Sequence, residues 1–414
     1  MGTLNLQDVI LSSGHSNYHL IFTAQEMNRR GRLNTLICGG YPTSFEQALL
    51  KLPPLCYSKK LNRFLNRLDD IPSKKVSQNR LSEIVSMIGK NGGSYHKKLA
   101  MKAIRMYGKK SENVLRLAAK NGARFYHYRA GFGQSSIQVA KDLGMKVICD
   151  HSIVHPALLD SLVENKGEYP KILPSRPKGF LGAVLDDIEA ADLIIVNSDF
   201  VAETFRFMGF DESKLRVIYQ GIEDKFLRCM PTKREYLMAS SNRPIRLLFA
   251  GRIIPRKGLD ELAEVLKNIH TSKLELHLAG EIPDSSKDRY QALLDDPRTI
   301  FHGTLSQREI AKLMSKTDVF VFPSRAEGSA RVIFEAMAAG CAVICTPNSG
   351  SIVEHEHGGI IVPVNNADAI SCALEGFFKS QDRIETMGRF NKKLVYQSFR
   401  QASYGQKVES CYTL

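Results

Sequence analysis

The sequence has no apolar run approaching the ~18 residues that a membrane-spanning helix requires, so no such helix is expected. Met1 to Leu6 show no basic stretch followed by an apolar one, and Leu6 breaks the N-myristoylation pattern. A cytoplasmic protein is expected, either soluble or peripheral on the cytoplasmic face of a membrane. The eight cysteines, Cys38, Cys56, Cys149, Cys229, Cys341, Cys345, Cys372 and Cys411, are scattered. Most lie in apolar surroundings and read as small core hydrophobes. Cys341 and Cys345 are spaced wrongly for a zinc knuckle, and no second pair of cysteines or histidines completes a site. Neither a metal nor a redox role is expected of them.

With 43% hydrophobic and 24% charged residues the chain is neither disordered nor fibrous. Its 414 residues exceed what one core usually supports, so two domains of about 200 residues each are expected. The net charge of +14 is concentrated in one segment. Between Tyr57 and Asn121 there are 16 Lys and Arg against four acids, Asp69, Asp70, Glu83 and Glu112, while the rest of the chain is close to neutral. Leu61 to Leu68 and His96 to Met106 interleave basic with apolar side chains. Such basic helices can lie on an anionic membrane surface, with a plain solvated helical face as the alternative. Nucleic acid is not expected as a partner, because no recognition motif accompanies the charge.

Apolar strand-like runs alternate with helical patterns, the mark of a doubly wound α/β architecture. Asp8 to Gly14, His19 to Arg30 and Leu33 to Gly39 form a first strand–helix–strand unit. Arg124 to Arg129, Lys146 to Asp150, Leu193 to Asn197 and Arg216 to Tyr219 continue that sheet. After Gly221 the pattern restarts, with strands expected at Pro244–Gly251, Leu274–Gly280, Thr299–Gly303, Asp318–Phe322, Ala342–Cys345 and Gly359–Val362. Two Rossmann-like domains, 1–222 and 223–390, are therefore expected around a cleft. A C-terminal helix, 391–414, is expected to cross back to the first domain. Ligands of such sheets lie at the carboxyl ends of the strands.

Pro323 to Gly340 reads as a strand end, a small-residue loop and a helix, with carboxylates at Glu327 and Glu335. A helix starting near Ser329 would separate them by roughly 12 Å, about the reach of a nucleotide diphosphate-sugar. The free N–H groups of Gly328, Ser329 and Ala330 would face an anion between them. Taken alone, the pair could equally be ordinary surface glutamates. At the end of the first strand of the same domain, Arg252 and Lys257 carry cations suited to a leaving diphosphate. Arg252 would bind it bidentately and Lys257 as a point charge.

Gly251-Arg252 through Lys257-Gly258, Phe301 to Gly303, Val321 to Ser324, Glu327-Gly328, Glu335 to Met337 and Ser349 to Ile352 together resemble the family-4 retaining glycosyltransferases of the GT-B fold. Upstream, Ala191 to Ser198 and Lys214 to Glu223 resemble that family's interdomain stretch. The resemblance covers roughly residues 185 to 365. It implies a donor-binding second domain and an acceptor-binding first domain. Arg252 and Lys257 would hold the donor diphosphate, Glu335 the ribose and Glu327 the transferred sugar. By the same resemblance His151 would line the sugar pocket and Gly14 would approach the donor. No cofactor is implied, since the nucleotide-sugar is a substrate. The acceptor would be a glycan, a lipid-linked group or a small molecule.

The sequence departs from the family at Ser329, Arg331 and Gln220, and at the loop after Gly14, where His15 to Asn17 replace a second glycine. These changes bear on the donor sugar. Gly131 to Ser136 superficially resembles a dinucleotide fingerprint, but its third glycine is missing, and a loop facing the cleft is expected instead. His355 and His357 lack a third ligand. There is no Asp-x-Asp, which argues against a metal-dependent single-domain transferase. The alternatives are a sugar-nucleotide epimerase on the same scaffold and a nucleotide-sugar-binding protein without catalysis.

Overall fold

The computed structural model describes residues 6–15, 20–42, 46, 71–89, 94–231, 234, 243–271 and 273–413. Two parallel sheets organise it. The first contains β1 (Val9–Gly14), β2 (Leu33–Cys38), β3 (Val76–Gln78), β4 (Phe125–Arg129), β5 (Lys146–His151), β6 (Leu193–Val196) and β7 (Leu215–Val217), in the order β3-β2-β1-β4-β5-β6-β7. The second contains β8 (Ile245–Ala250), β9 (Leu274–Ala279), β10 (Thr299–Gly303), β11 (Val319–Phe322), β12 (Ala342–Cys345) and β13 (Gly359–Ile361), in the order β10-β9-β8-β11-β12-β13.

The central strands are buried on both faces, because helices cover a parallel sheet on both sides, and they therefore read as continuous apolar runs. In each sheet the chain reverses direction beside its first strand, between β1 and β4 and between β8 and β11. These switch points open crevices at the strands' carboxyl ends. Gly14 lies at the first; Arg252 to Lys257 and the loop from Pro323 lie at the second.

The helices that position the site are α1 (Leu20–Arg29), α2 (Arg80–Ile88), α3 (Ser94–Lys120), α4 (Asp199–Phe207), α5 (Leu259–Asn268), α6 (Arg331–Ala339), α7 (Asp382–Ser398) and α8 (Gln401–Glu409). The basic segment differs from the all-helical expectation. Ser73–Lys75 is a 3₁₀ turn leading into β3, a three-residue edge strand that pairs with β2. Three residues are too few to show a period of two, and the preceding proline and lysines gave no strand signal. Residues 57–70, including Leu61 to Leu68, lie outside the described residues, as do 90–93. His96 to Met106 falls within α3.

The chain end returns to the first domain. Asn391 on α7 donates to Cys341 O and Gly358 O, at 2.8 and 2.6 Å, seating α7 on the second domain. The Ile222 N–H then bonds Phe399 O, and α8 packs on α1. Tyr404 Oη lies 2.7 Å from Thr23 Oγ1, and Tyr412 Oη lies 2.7 Å from His127 Nδ1. Arg32 forks onto Asp8 and also donates to Tyr412 O. Tyr404, Val408 and Tyr412 thus sit in the same apolar cluster as Val9, Leu11, Leu36 and Phe125.

Tyr412→Ala is expected to cost the first domain about 3–5 kcal/mol, as a buried aromatic deletion does. Tyr412→Phe is expected to cost about 1 kcal/mol, the worth of one hydrogen bond. Urea unfolding of both variants checks the ranking; equal effects would show that the ring is not packed.

Candidate active site

A cleft of about 380 Å³ opens at the β8/β11 switch point, lined by Gly251, Lys257, Gly280, Thr304, Leu305, Phe322, Glu327, Ser329, Ala330, Arg331 and Val332 among others. Its size is that of a small-ligand site. Its polar centre is Glu327. Oε1 of Glu327 accepts from Arg256 Nη1 at 2.8 Å and from Lys257 Nζ, and the Ser324 hydroxyl lies 2.9 Å away. Burial pushes the Lys257 ammonium down; Glu327 opposes that shift and Arg256 adds to it. The Lys257 ammonium also stands 5.2 Å from the centre of the Phe322 ring.

The turn that presents Lys257 ends in Gly258, whose φ of +81° no side chain adopts cheaply. A Cβ there would also collide with Pro323 O, so glycine lets the β8 and β11 loops touch. Arg325 N–H then bonds Arg256 O at 2.9 Å. The Arg325 guanidinium, itself buried, binds Glu261 and Asp260 in the first turn of α5 at 2.8–3.0 Å. One arginine thereby fixes the Glu327 loop against the helix that follows β8.

α6 starts at Arg331, two residues later than expected, because the Ala330 N–H is spent on Ser349 O and the Glu327 N–H on Asn348 O. These bonds keep 327–330 out of the helix. Only the last four steps between Glu327 and Glu335 are then helical, about 6 Å of rise, and the roughly 12 Å axial separation does not apply. The Ala330 N–H is likewise committed within the protein.

Lys257, Glu327, Ser329 and Ala330 come together at the cleft, and the Ser329 Oγ is buried there without a hydrogen-bond partner. Arg252 stands apart, 57% exposed, with Glu281 at 3.9 Å. Glu335 lies on α6 beyond the cleft lining, near the Arg331–Glu223 ion pair. Gly328 packs against the first domain: its carbonyl accepts the Ser198 hydroxyl, and a Cβ would collide with Ser152 O. His151 is buried next to that contact, with Nε2 3.3 Å from Val154 O and its ring edge-on to Phe205. The Gly14 N–H donates to Tyr107 Oη at 3.1 Å, and a Cβ at Gly14 would strike Phe132. Gly14, His151, Arg252, Gly328 and Glu335 are thus not among the residues lining the cleft.

Sequence reasoning passed over Arg256, although it adjoins Lys257 and donates to Glu327. The signal available was the Arg-Lys dipeptide itself. The Gly131–Gln134 loop is occupied from within: Gly131, Gly133 and Gln134 N–H groups all donate to the buried Asp187 carboxylate, at 2.7–2.9 Å. Burial raises that carboxyl to about 6 against these bonds.

Residues 238–394 match the family described as glycosyl transferases group 1. An uncharacterized glycosyltransferase of Methanocaldococcus jannaschii is 27% identical over 56% of this chain and 62% of its own length. A putative teichuronic acid biosynthesis glycosyltransferase, TuaC of Bacillus subtilis, is 25% identical over 52% of this chain and 54% of its own. The aligned part therefore spans little more than half of these relatives. HepE of Anabaena, solved in complex with UDP, superimposes with a TM-score of 0.63 at 16% identity, covering 97% of this chain and 98% of that one. The two-sheet architecture is that of the GT-B glycosyltransferases.

The Glu335 carboxyl is pushed up to about 7 by burial, which Arg331 opposes and Glu223 reinforces. A raised acid holds its proton more tightly in the folded state. Its contribution to stability is therefore complete below the ordinary 4.5 and is lost as the pH rises to about 7. Glu335→Gln is expected to flatten the fall in thermal midpoint across that window. Identical slopes in variant and parent would exclude the shift.

Proposed function

We propose that the protein is a retaining glycosyltransferase that moves a sugar from a nucleotide diphosphate-sugar to an acceptor hydroxyl, in polysaccharide, glycolipid or other glycoconjugate biosynthesis. The observation that carries this reading is the cluster of Lys257, Arg256 and Glu327 at the switch point of the domain that matches the glycosyl transferases. The bond from the sugar's anomeric carbon to the diphosphate breaks as the bond to the acceptor oxygen forms on the same face. The acceptor's proton passes to a diphosphate oxygen, and the nucleoside diphosphate leaves. Lys257 and Arg256, joined by Arg252 from outside the cleft lining, neutralise the charge growing on the leaving group. These cations supply that charge without calling on a metal. Glu327 orients the sugar through its hydroxyls; the roles of Glu335 at the ribose and of His151 and Gly14 beside the donor rest on the family resemblance, since none of the three lines the cleft.

The described part of the basic segment supports a second element of the proposal, docking on an anionic membrane surface at the cytoplasmic face. Lys98, Lys102, Arg105, Lys109, Arg116 and Lys120 recur at helical spacing along the exposed side of α3. α2 packs against α3 and exposes Leu81, Ile84, Met87 and Ile88. Cations beside an exposed apolar ridge match lipid headgroups and acyl chains together. Among the described residues no helix is long and apolar enough to cross a membrane.

A panel of UDP-, GDP- and ADP-sugars is expected to contain one that raises the thermal midpoint and slowly releases nucleoside diphosphate. Midpoint shifts without release would favour a binding protein, and conversion of the sugar without release an epimerase. Glu327→Ala is expected to lower kcat by about 100-fold or more, as loss of a group acting mainly in the transition state does. Glu335→Ala is expected mainly to raise the donor KM; unchanged kinetics in both would sink the assignment.

For docking, sedimentation with vesicles is expected to require anionic lipid. Replacing Lys98, Lys102 and Arg105 by Glu should abolish it, since each cation near such a surface is worth about 1 kcal/mol. Equal binding to neutral vesicles would refute the electrostatic account.

A further inference from the structure

The Glu327 loop touches both domains. Asn348, buried in the Pro347–Ser349 turn after β12, donates two hydrogen bonds through one side-chain amide. One runs 2.7 Å to Gly167 O in the first domain, the other 2.8 Å to Arg325 O in the loop. Its own backbone carbonyl accepts the Glu327 N–H at 3.0 Å. Both side-chain bonds end on carbonyls, so only the amide nitrogen can face them.

The approach of the first domain is close. Gly167 has a φ of +100°, and a Cβ there would lie 3.0 Å from Arg325 O and 3.2 Å from Asn348 Nδ2. Ala326 is buried among Val154, Leu158, Leu162 and Phe200, all from the first domain. On the other side of Glu327, Ser198, the N-cap of α4, bonds Gly328 O. The carboxylate is therefore flanked on both sides by groups that the first domain supplies. The Asn348 amide is the tie on the Arg325 side of Glu327, as the Ser198 hydroxyl is on the Gly328 side.

We infer that Asn348 is a positioning residue: by bridging Gly167 and Arg325 it makes the placement of Glu327 depend on contact between the two domains. The inference rests on the role given to Glu327 above. When the domains part, Gly167 O leaves the amide, and the turn that accepts the Glu327 N–H loses its outer anchor. The carboxylate is then held from its own domain alone. Bringing the domains together restores the geometry in which Lys257, Arg256 and the sugar hydroxyls share Glu327.

The test compares Asn348→Ala with Asn348→Asp in the full chain. Aspartate keeps the shape but turns a carboxylate toward two carbonyls, whereas alanine only removes the bonds. Asn348→Asp is expected to lower kcat about tenfold or more, and further than Asn348→Ala, with the donor KM within about twofold of the parent. Asn348→Ser, which can donate one bond, should fall between parent and alanine. A residue that only fills space would give the reverse order, aspartate milder than alanine, and that result would overturn the inference.

Gly167→Ala attacks the same bridge from the other domain. Combined with Asn348→Ala, it should add little to the larger single effect. Fully additive losses would also overturn the inference. Hydrogen exchange at the Glu327 amide gives a readout independent of activity and is expected to quicken about tenfold in either variant. Unchanged exchange would sever the proposed tie. If exchange quickens while the parent turns over no nucleotide-sugar, the tie stands and the functional reading fails.

Discussion

One carboxylate oxygen, Oε1 of Glu327, draws Arg256, Lys257 and the Ser324 hydroxyl to a single point between the ends of β8 and β11. Partly desolvated charges are tolerable in such a place only when they are paired and hydrogen-bonded. The loops carrying them have little freedom as a consequence. Gly258 lets the loops approach, and Arg325 locks one to α5 through Asp260 and Glu261. The Asn348 and Ser349 carbonyls stop the helix from starting early. Together these contacts hold Lys257 and Glu327 in the lining of the cleft.

The same economy of backbone groups shapes the first domain. At Gly14 and at Gly131, Gly133 and Gln134, places where a nucleotide-binding protein would offer free N–H groups to phosphate, the donors serve Tyr107 and Asp187. The first domain thus packs against the Glu327 loop, while the second domain lines the cleft and contributes its charge. The return of the chain through Phe399 to Tyr412 ties the second domain to the first. Contacts between the domains exist both near the carboxylate loop and at the chain end.

How much was legible in the sequence follows from how local each determinant is. Buried parallel strands are runs of β-branched and apolar residues, so twelve of the thirteen strands among the described residues can be read directly. β3 is too short and too polar to leave a pattern. Lys257 and Glu327 were legible because each follows a readable strand at the sheet's switch point. Arg256 escaped because only the folded loop shows that it meets Glu327 together with its neighbour Lys257.

By itself the sequence determined the alternation of strands and helices, the restart after Gly221 and the chemical types at the two loop ends. These are written in period, composition and spacing along the chain. Tertiary structure alone decided that α6 begins at Arg331, that Arg252 stands in solvent while Arg256 and Lys257 meet Glu327, and that Asn348 reaches Gly167 across the domain boundary. Those outcomes depend on hydrogen bonds between residues up to 181 positions apart. No local pattern encodes such a bond, because its energy exists only once both domains are folded and in contact.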